Sequence, residues 1–171
     1  MSTTSTERFP PLAAAVLRAA GWHEDRDIGL VADAMVERVI ERGRAEGFEL
    51  SASPAVCAAL HEFGGLSVTH ANTGIDFPGS GFTVDPLLVA HKFEVYAELD
   101  RIIGGGSFPF GPEFDGHGSL ALGPDGRLFL IHDAGFCAVG DTVDAGLAAW
   151  IERAGPPTDI FEVFDDPDAA R

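Results

Sequence analysis

The sequence contains few cysteines and no pattern that would hold a metal ion. Only Cys57 and Cys137 occur in 171 residues, far apart and without a C-x-x-C pair. Each lies in an apolar stretch, which is typical of a buried free thiol. None of the six histidines pairs at the H-x-x-x-H spacing that places two ligands on one helical face. The sequence therefore predicts two buried free thiols, no metal and no cofactor.

Long apolar runs are also missing. No stretch of 18 apolar residues occurs, and Met1–Arg8 is polar and rich in Ser and Thr. A transmembrane helix needs about 20 apolar residues, and a secretory signal needs an apolar segment near the N-terminus. We therefore expect no membrane span, a flexible leader over residues 1–8, and a cytoplasmic location.

Basic residues are scarce. The chain has 11 Lys and Arg against 27 Asp and Glu, for a formal net charge of −16. Residues 1–99 carry 14 acidic and 7 basic residues and residues 100–171 carry 13 and 4, so the excess lies on both halves. Such a charge repels phosphate backbones and anionic membranes, and it attracts basic proteins. The composition thus predicts a basic protein partner, with no nucleic acid or membrane; a charge that serves solubility alone is the alternative.

The usual catalytic patterns are absent. Gly104-Gly105-Gly106-Ser107 is not followed by the Gly-Lys of a phosphate-binding loop, and no G-x-S-x-G occurs. His132 and Cys137 would need the turn between them to bring them together, and the apolar surroundings of Cys137 predict a raised thiol pKa. His61 and Glu62 are adjacent on a predicted helix and do not face each other, so we expect His61 to interact with the last helical carbonyls. We predict no catalytic residue; a small hydrolase using His132, Asp133 or Cys137 stays as an alternative.

Periodicity and turn residues predict helices first and hairpins later, an α+β fold in one domain. Predicted helices cover about 12–20, 28–46, 53–63, 89–103 and 142–154, and predicted strands cover 66–70, 82–84, 108–110, 120–122, 128–132 and 136–139. Gly123-Pro124-Asp125-Gly126 predicts a hairpin turn, and Phe108-Pro109-Phe110 an edge strand.

Two of the predicted helices have a clear expected core face. In the first, Leu12, Ala15/Val16 and Ala19 share one side. In the second, Ile28, Val31, Met35 and Val39 recur at three- and four-residue steps, and Asp27 is the expected cap.

A series of short motifs follows the same order as in a known family. They are Phe9-Pro10, Ala20-Gly21-Trp22 with Arg26, Glu62-Phe63-Gly64-Gly65-Leu66, Phe82-Thr83-Val84-Asp85-Pro86, Phe108-Pro109-Phe110-Gly111, Asp125-Gly126-Arg127, and Gly140 before the last helix. In this order they resemble the SUKH superfamily of immunity proteins, specifically its third branch, over roughly residues 9–154.

The resemblance implies a fold and a function. The fold is a central, mostly antiparallel sheet with flanking helices, and the function is neutralisation of a cognate secreted toxin, often a nuclease or deaminase, by direct binding. A regulatory or chaperone-like adaptor of the same fold is the alternative. The matching family residues are scaffold: Trp22, Arg26, Gly64, Gly65, Leu66, Asp85, Pro86, Pro109 and Gly111. Among these the resemblance implies a core anchor at Trp22, turns at the glycines, and an ion pair between Arg26 and Asp85.

The chain departs from the family in the Gly74–Gly81 loop and after Gly155, where Gly155-Pro156-Pro157 breaks the chain. We therefore predict a domain over residues 9–155 and an acidic extension over residues 156–171. Ile160, Phe161, Val163 and Phe164 are expected to pack on the sheet. The predicted partner-binding residues are the acidic positions of this extension, Asp159, Glu162, Asp165, Asp166 and Asp168.

Overall fold

The computed structural model describes residues 7–69, 81–114, 116–152 and 158–160. These residues form the helices α1 (Pro11–Ala19), α2 (Leu30–Ala45), α3 (Pro54–Phe63), α4 (Phe93–Ile103) and α5 (Val143–Glu152), with a 3-10 helix at Pro86–Val89. The strands are β1 (Ser67–Val68), β2 (Phe82–Thr83), β3 (Phe108–Pro112), β4 (Gly118–Leu122), β5 (Leu128–His132), β6 (Gly135–Gly140) and β7 (Thr158–Asp159).

The strands form two antiparallel sheets. β1 pairs with β2, and the larger sheet runs in the order β3-β4-β5-β6-β7. The turn between β4 and β5 is the predicted hairpin, in which the amide of Gly123 donates to the carbonyl of Arg127 over 2.9 Å. β3 is the first strand of its sheet, as expected for an edge strand. The predicted α+β single domain is confirmed.

Helices cover both faces of the larger sheet. Leu120, Leu122, Leu128 and Leu130 point to the face that packs with α1, α2, α3 and α5. The opposite face carries Ala121, Phe129, Ile131 and Phe136, and α4 packs there through Tyr96 and Leu99. This division follows from the alternation of side chains along each strand, which sends neighbouring residues to opposite faces.

Two helices begin later than predicted. Asp27 does not cap α2; its Oδ1 accepts from the amide of Gly29 over 2.7 Å, and the helix begins after this turn. The predicted helix from Val89 is also wrong at its start, because the carboxylate of Asp85 accepts from the amide of Leu87 and caps a separate 3-10 helix. α4 begins only at Phe93.

The predicted core face of α1 is wrong, and that of α2 is right at Val39 but wrong at Val31. α1 buries Ala13, Ala14 and Leu17, and Leu12 is exposed. α2 buries Ala32, Val36, Val39 and Gly43, whereas Val31 is 58% exposed. Both helices bury alanines beside larger apolar side chains, whereas the apolar side chains at their N-terminal ends are exposed.

Candidate partner-binding region

The acidic extension begins with a strand and a buried anchor. β7 pairs with β6, with Asp159 opposite Cys137, and Asp159 is exposed. Ile160 is fully buried beside α4, with Tyr96, Leu99 and Phe129 in the same cluster. The expected packing of Ile160 is therefore confirmed. Phe161, Val163 and Phe164, the acidic residues Glu162, Asp165, Asp166 and Asp168, and the loop residues 74–80 lie outside the described residues.

The exposed side of α2 carries a row of carboxylates. Asp33, Glu37 and Glu41 are spaced four residues apart and all are exposed, so they share one face of the helix. Leu30, 85% exposed, lies three residues before Asp33 on the same face. Like charges at this spacing destabilise a helix slightly. The helix also exposes three arginines, Arg38, Arg42 and Arg44, which offset the three negative charges of the row.

Glu62 joins three distant parts of the chain. Its Oε1 accepts from the indole Nε1 of Trp22 at 2.8 Å and from Nη1 of Arg8 at 2.7 Å. Arg8 also donates to Asp144 on α5, at 2.6 Å from Nε and 2.7 Å from Nη2. The carboxylate of Asp144, with that of Glu62, raises the pKa of Arg8 further above its ordinary value. The ion pairs tie the segment before α1 to α3 and α5.

Trp22 is buried, as its expected role of core anchor requires. It is 3% exposed, and its ring contacts Phe9 edge-on at 5.1 Å between centroids. Sequence analysis missed Arg8, which it assigned to the flexible leader. Its two carboxylate partners are 54 and 136 residues away, so no local pattern signals the pairing.

The expected ion pair between Arg26 and Asp85 does not form. Arg26 instead donates to the carbonyls of Glu62 and Gly64, where α3 ends. The last carbonyls of a helix lack partners within the helix, and a guanidinium satisfies them well. Asp85 is occupied at the 3-10 helix, where it accepts from Leu87. Arg26 and Asp85 therefore each bind backbone groups and do not bind each other.

The remaining family residues bring the small sheet against the large one. Gly65 has φ +78°, a conformation that glycine adopts without strain, and its amide donates to Val84 over 2.7 Å. At Gly111 a Cβ atom would lie 1.8 Å from the carbonyl oxygen of Thr83, so only glycine fits. The other family residues on this path, Leu66, Pro86 and Pro109, are buried.

His61 does not interact with the end of its own helix. Nδ1 lies 2.8 Å from Asp27 Oδ1, and Nε2 lies 2.8 Å from Asp33 Oδ1. The hydrogen bond with Asp33, reinforced by Asp27, raises the pKa of His61. With a carboxylate at each ring nitrogen, the protonated imidazolium can donate from both. The side chain therefore links α3 to the start of α2.

The turn between β5 and β6 does bring Cys137 and His132 together. The Sγ of Cys137 lies 3.7 Å from Nε2 of His132. Burial, followed by the nearby charge of Asp159, raises the pKa of the thiol, which favours the neutral form. Cys57 and Cys137 are free thiols, as predicted, but both are half-buried rather than buried. Among the described residues, no three His, Cys, Asp or Glu side chains gather closely enough to hold a metal ion.

Comparison with known proteins gives one match. A model of the family described as SUKH-3 immunity protein matches residues 9–153, which include every scaffold residue named above. No curated protein and no solved structure matches the chain. Within residues 7–69, 81–114, 116–152 and 158–160, no helix combines the length and the apolar character that crossing a membrane requires.

Proposed function

Because the chain belongs to the SUKH-3 immunity protein family, we propose that it binds a cognate toxin domain in the cytoplasm and neutralises it by direct contact. The family match over residues 9–153 is the observation that carries this proposal. Motif residues within the matched range hold helices and sheets together, as at Trp22–Glu62 and at Gly111. Partner recognition then falls to the surface that this scaffold presents.

The proposed mechanism is binding without turnover. Cys137 and His132 resemble a nucleophile and its base, because Sγ lies 3.7 Å from Nε2. The raised pKa of the thiol, however, opposes formation of the thiolate that nucleophilic catalysis needs. The protein would act in stoichiometric amounts, by covering the toxin's active surface.

The proposed partner is basic. The formal net charge of −16 favours a positively charged protein. A nuclease or a deaminase binds nucleic acid through a positive groove, and an acidic protein surface occupies such a groove in place of the phosphates. We place recognition in part on Asp159, which is exposed on β7, the last strand in the order of the larger sheet, and on the four acidic residues after it.

Growth protection tests the proposal. A toxin domain encoded beside the gene is expressed in a bacterial host with this protein, with a variant whose core is disrupted by Leu120→Asp, or with no second protein. We expect growth only with the intact chain, and a purified one-to-one complex. Lack of protection and of binding by the folded chain, for each toxin domain encoded nearby, would refute the proposed function.

Binding kinetics test the role of charge. Exposed charges mainly raise the association rate and make it depend on salt, whereas buried contacts set the dissociation rate. We expect the association rate to fall by about tenfold between low and high salt, with a much smaller change in dissociation. An association rate that is constant across this range would show that the partner is not selected by charge.

A further inference from the structure

A cavity opens between α4 and the far face of the large sheet. Its volume is about 340 Å³, near the small end of the range for ligand sites. α4 contributes Val95 and Tyr96, and the strands contribute Ser119, Ile131 and Phe136. The size suits one long side chain better than a cofactor.

Two of the residues that line the cavity, Tyr96 and Ser119, carry hydroxyl groups. Tyr96 is 2% exposed, and its hydroxyl makes no hydrogen bond of ordinary geometry to the described part of the chain. The hydroxyl of Ser119, a residue 4% exposed on β4, lies beside it and acts on the pKa of the phenol, which burial raises. The phenol oxygen has almost no accessible surface, so an occupant of the cavity would meet other parts of its lining.

The rim is charged, with an acidic excess. Glu98 comes from α4 and Asp133 from the turn between β5 and β6, so the two carboxylates stand on opposite sides. The lining residues include one lysine, Lys92, and no arginine. All three are exposed. Two carboxylates against one ammonium favour a cationic occupant.

We propose that this cavity receives an arginine side chain of the partner protein, an inference that rests on the proposed function. The methylene stem would lie along Val95, Ile131 and Phe136, since arginine buries its stem on apolar surface. The guanidinium has five N–H donors and no acceptor, which suits the carboxylates of Glu98 and Asp133 at the rim. Arginine side chains seated in such pockets commonly dominate the binding energy of an interface.

The single tyrosine of the chain gives a direct measurement. Because Tyr96 is the only tyrosine, the full-length protein grown with ¹³Cζ-labelled tyrosine shows one ring resonance, and it reports on the cavity. N-acetyl-arginine amide is titrated to tens of millimolar, in parallel with the neutral citrulline analogue and the lysine analogue. We expect a saturable shift with the arginine compound and at least about fivefold weaker binding of the other two.

Charge variants locate the site. Glu98→Gln with Asp133→Asn is expected to weaken binding of N-acetyl-arginine amide by about tenfold. Glu94→Gln with Asp125→Asn makes the same change in net charge, on α4 and on the β4–β5 turn, at residues that do not line the cavity. This control pair should change the affinity less than twofold.

Three results would overturn the cavity proposal. They are the absence of a saturable shift, equal binding of the citrulline analogue, and tighter binding of the lysine analogue. The titration needs no toxin, so the two proposals can fail separately. If the titration fails while the chain still protects growth, arginine binding in the cavity is refuted and the proposed function is not. If the chain fails to protect growth while the titration succeeds, the proposed function is refuted and arginine binding in the cavity is not.

Discussion

The indole N–H of Trp22 donates a 2.8 Å hydrogen bond to the carboxylate of Glu62, forty residues further along the chain. Arg8 binds the same carboxylate through Nη1 at 2.7 Å and Nη2 at 3.1 Å. Trp22 is almost fully buried, so Glu62 is the group that makes burial of the indole nitrogen acceptable. This pair explains why a Glu stands in the Glu62-Phe63-Gly64-Gly65-Leu66 motif.

Glu62→Ala is expected to destabilise the fold by about 2 kcal/mol, because a buried donor loses its acceptor and Arg8 loses a partner. Glu62→Gln should cost less, since the amide oxygen still accepts from Trp22. The free energy of unfolding from urea titrations measures both. Glu41→Ala, at an exposed mid-helix position, is the control and should stay within ~0.5 kcal/mol of the wild type. Equal losses for Glu62→Ala and Glu41→Ala would contradict the role given to this contact.

The parts predicted from sequence are those whose signal is local. The hairpin at Gly123–Gly126 and the strand Leu128–His132 were predicted at their observed positions, because turn chemistry and a run of β-formers act within a few residues. The start of α5 also agrees with the predicted start at about residue 142: Thr142 Oγ1 accepts from the amide of Ala145 just before the helix.

The parts that were missed depend on distant contacts. In α1 the choice between Leu12 and the Ala13–Ala14 side is decided by the neighbouring helices, since alanine carries little hydrophobic signal of its own. Arg26 binds backbone carbonyls, which every residue has, so its partners leave no trace in the sequence. The cavity beside Tyr96 exists only where α4 crosses the sheet.

The stability contributed by His61 should depend on pH. Asp33 and Asp27 raise the folded-state pKa of His61, so its contribution is fully present below the unfolded-state pKa of about 6.5. It is lost as the pH rises through the raised folded-state value. The pKa of Asp27 is lowered, first by the amide of Gly29 and then by His61, so this carboxylate remains ionised at pH 5.5.

His61→Gln is therefore expected to destabilise the protein more at pH 5.5 than at pH 9. Urea titrations of the variant and the wild type at both values measure the difference. His91→Gln, which replaces an exposed histidine before α4, controls for loss of an imidazole. A difference that is constant with pH, or larger at pH 9, would mean that the imidazolium does not bridge the two carboxylates.

Cys137 is expected to react slowly with iodoacetamide. In a Cys57→Ala background it is the single thiol, and its pKa is raised by burial and by Asp159, so little thiolate is present at pH 7.4. The alkylation rate should be several-fold below that of N-acetylcysteine, and Asp159→Asn should increase it. A rate at or above that of the free thiol would instead indicate an activated pair with His132, and would revive the hydrolase alternative.

In the acidic extension, the apolar and the acidic residues are expected to have different roles. The apolar residues should affect stability, and the acidic residues should affect toxin neutralisation. Ile160 is fully buried against α4 and the sheet, so Ile160→Ala or truncation after Gly155 should lower the melting temperature, as expected for a loss of roughly 2–5 kcal/mol at a buried aliphatic side chain. Changing Glu162, Asp165, Asp166 and Asp168 to their amides should leave the melting temperature unchanged and weaken toxin neutralisation.

A matched control separates location from net charge. Amide substitutions at Glu37, Glu41, Glu46 and Glu94 remove the same four charges from exposed positions on or beside α2 and at the start of α4. If charge steers the partner from a distance, both sets slow association equally; if the extension touches the toxin, its own set also speeds dissociation. Full protection by the chain with the neutralised extension would show that these carboxylates are not the binding determinant. Recognition would then have to be sought in the Gly74–Gly81 loop, the other segment in which we expect the sequence to depart from its family.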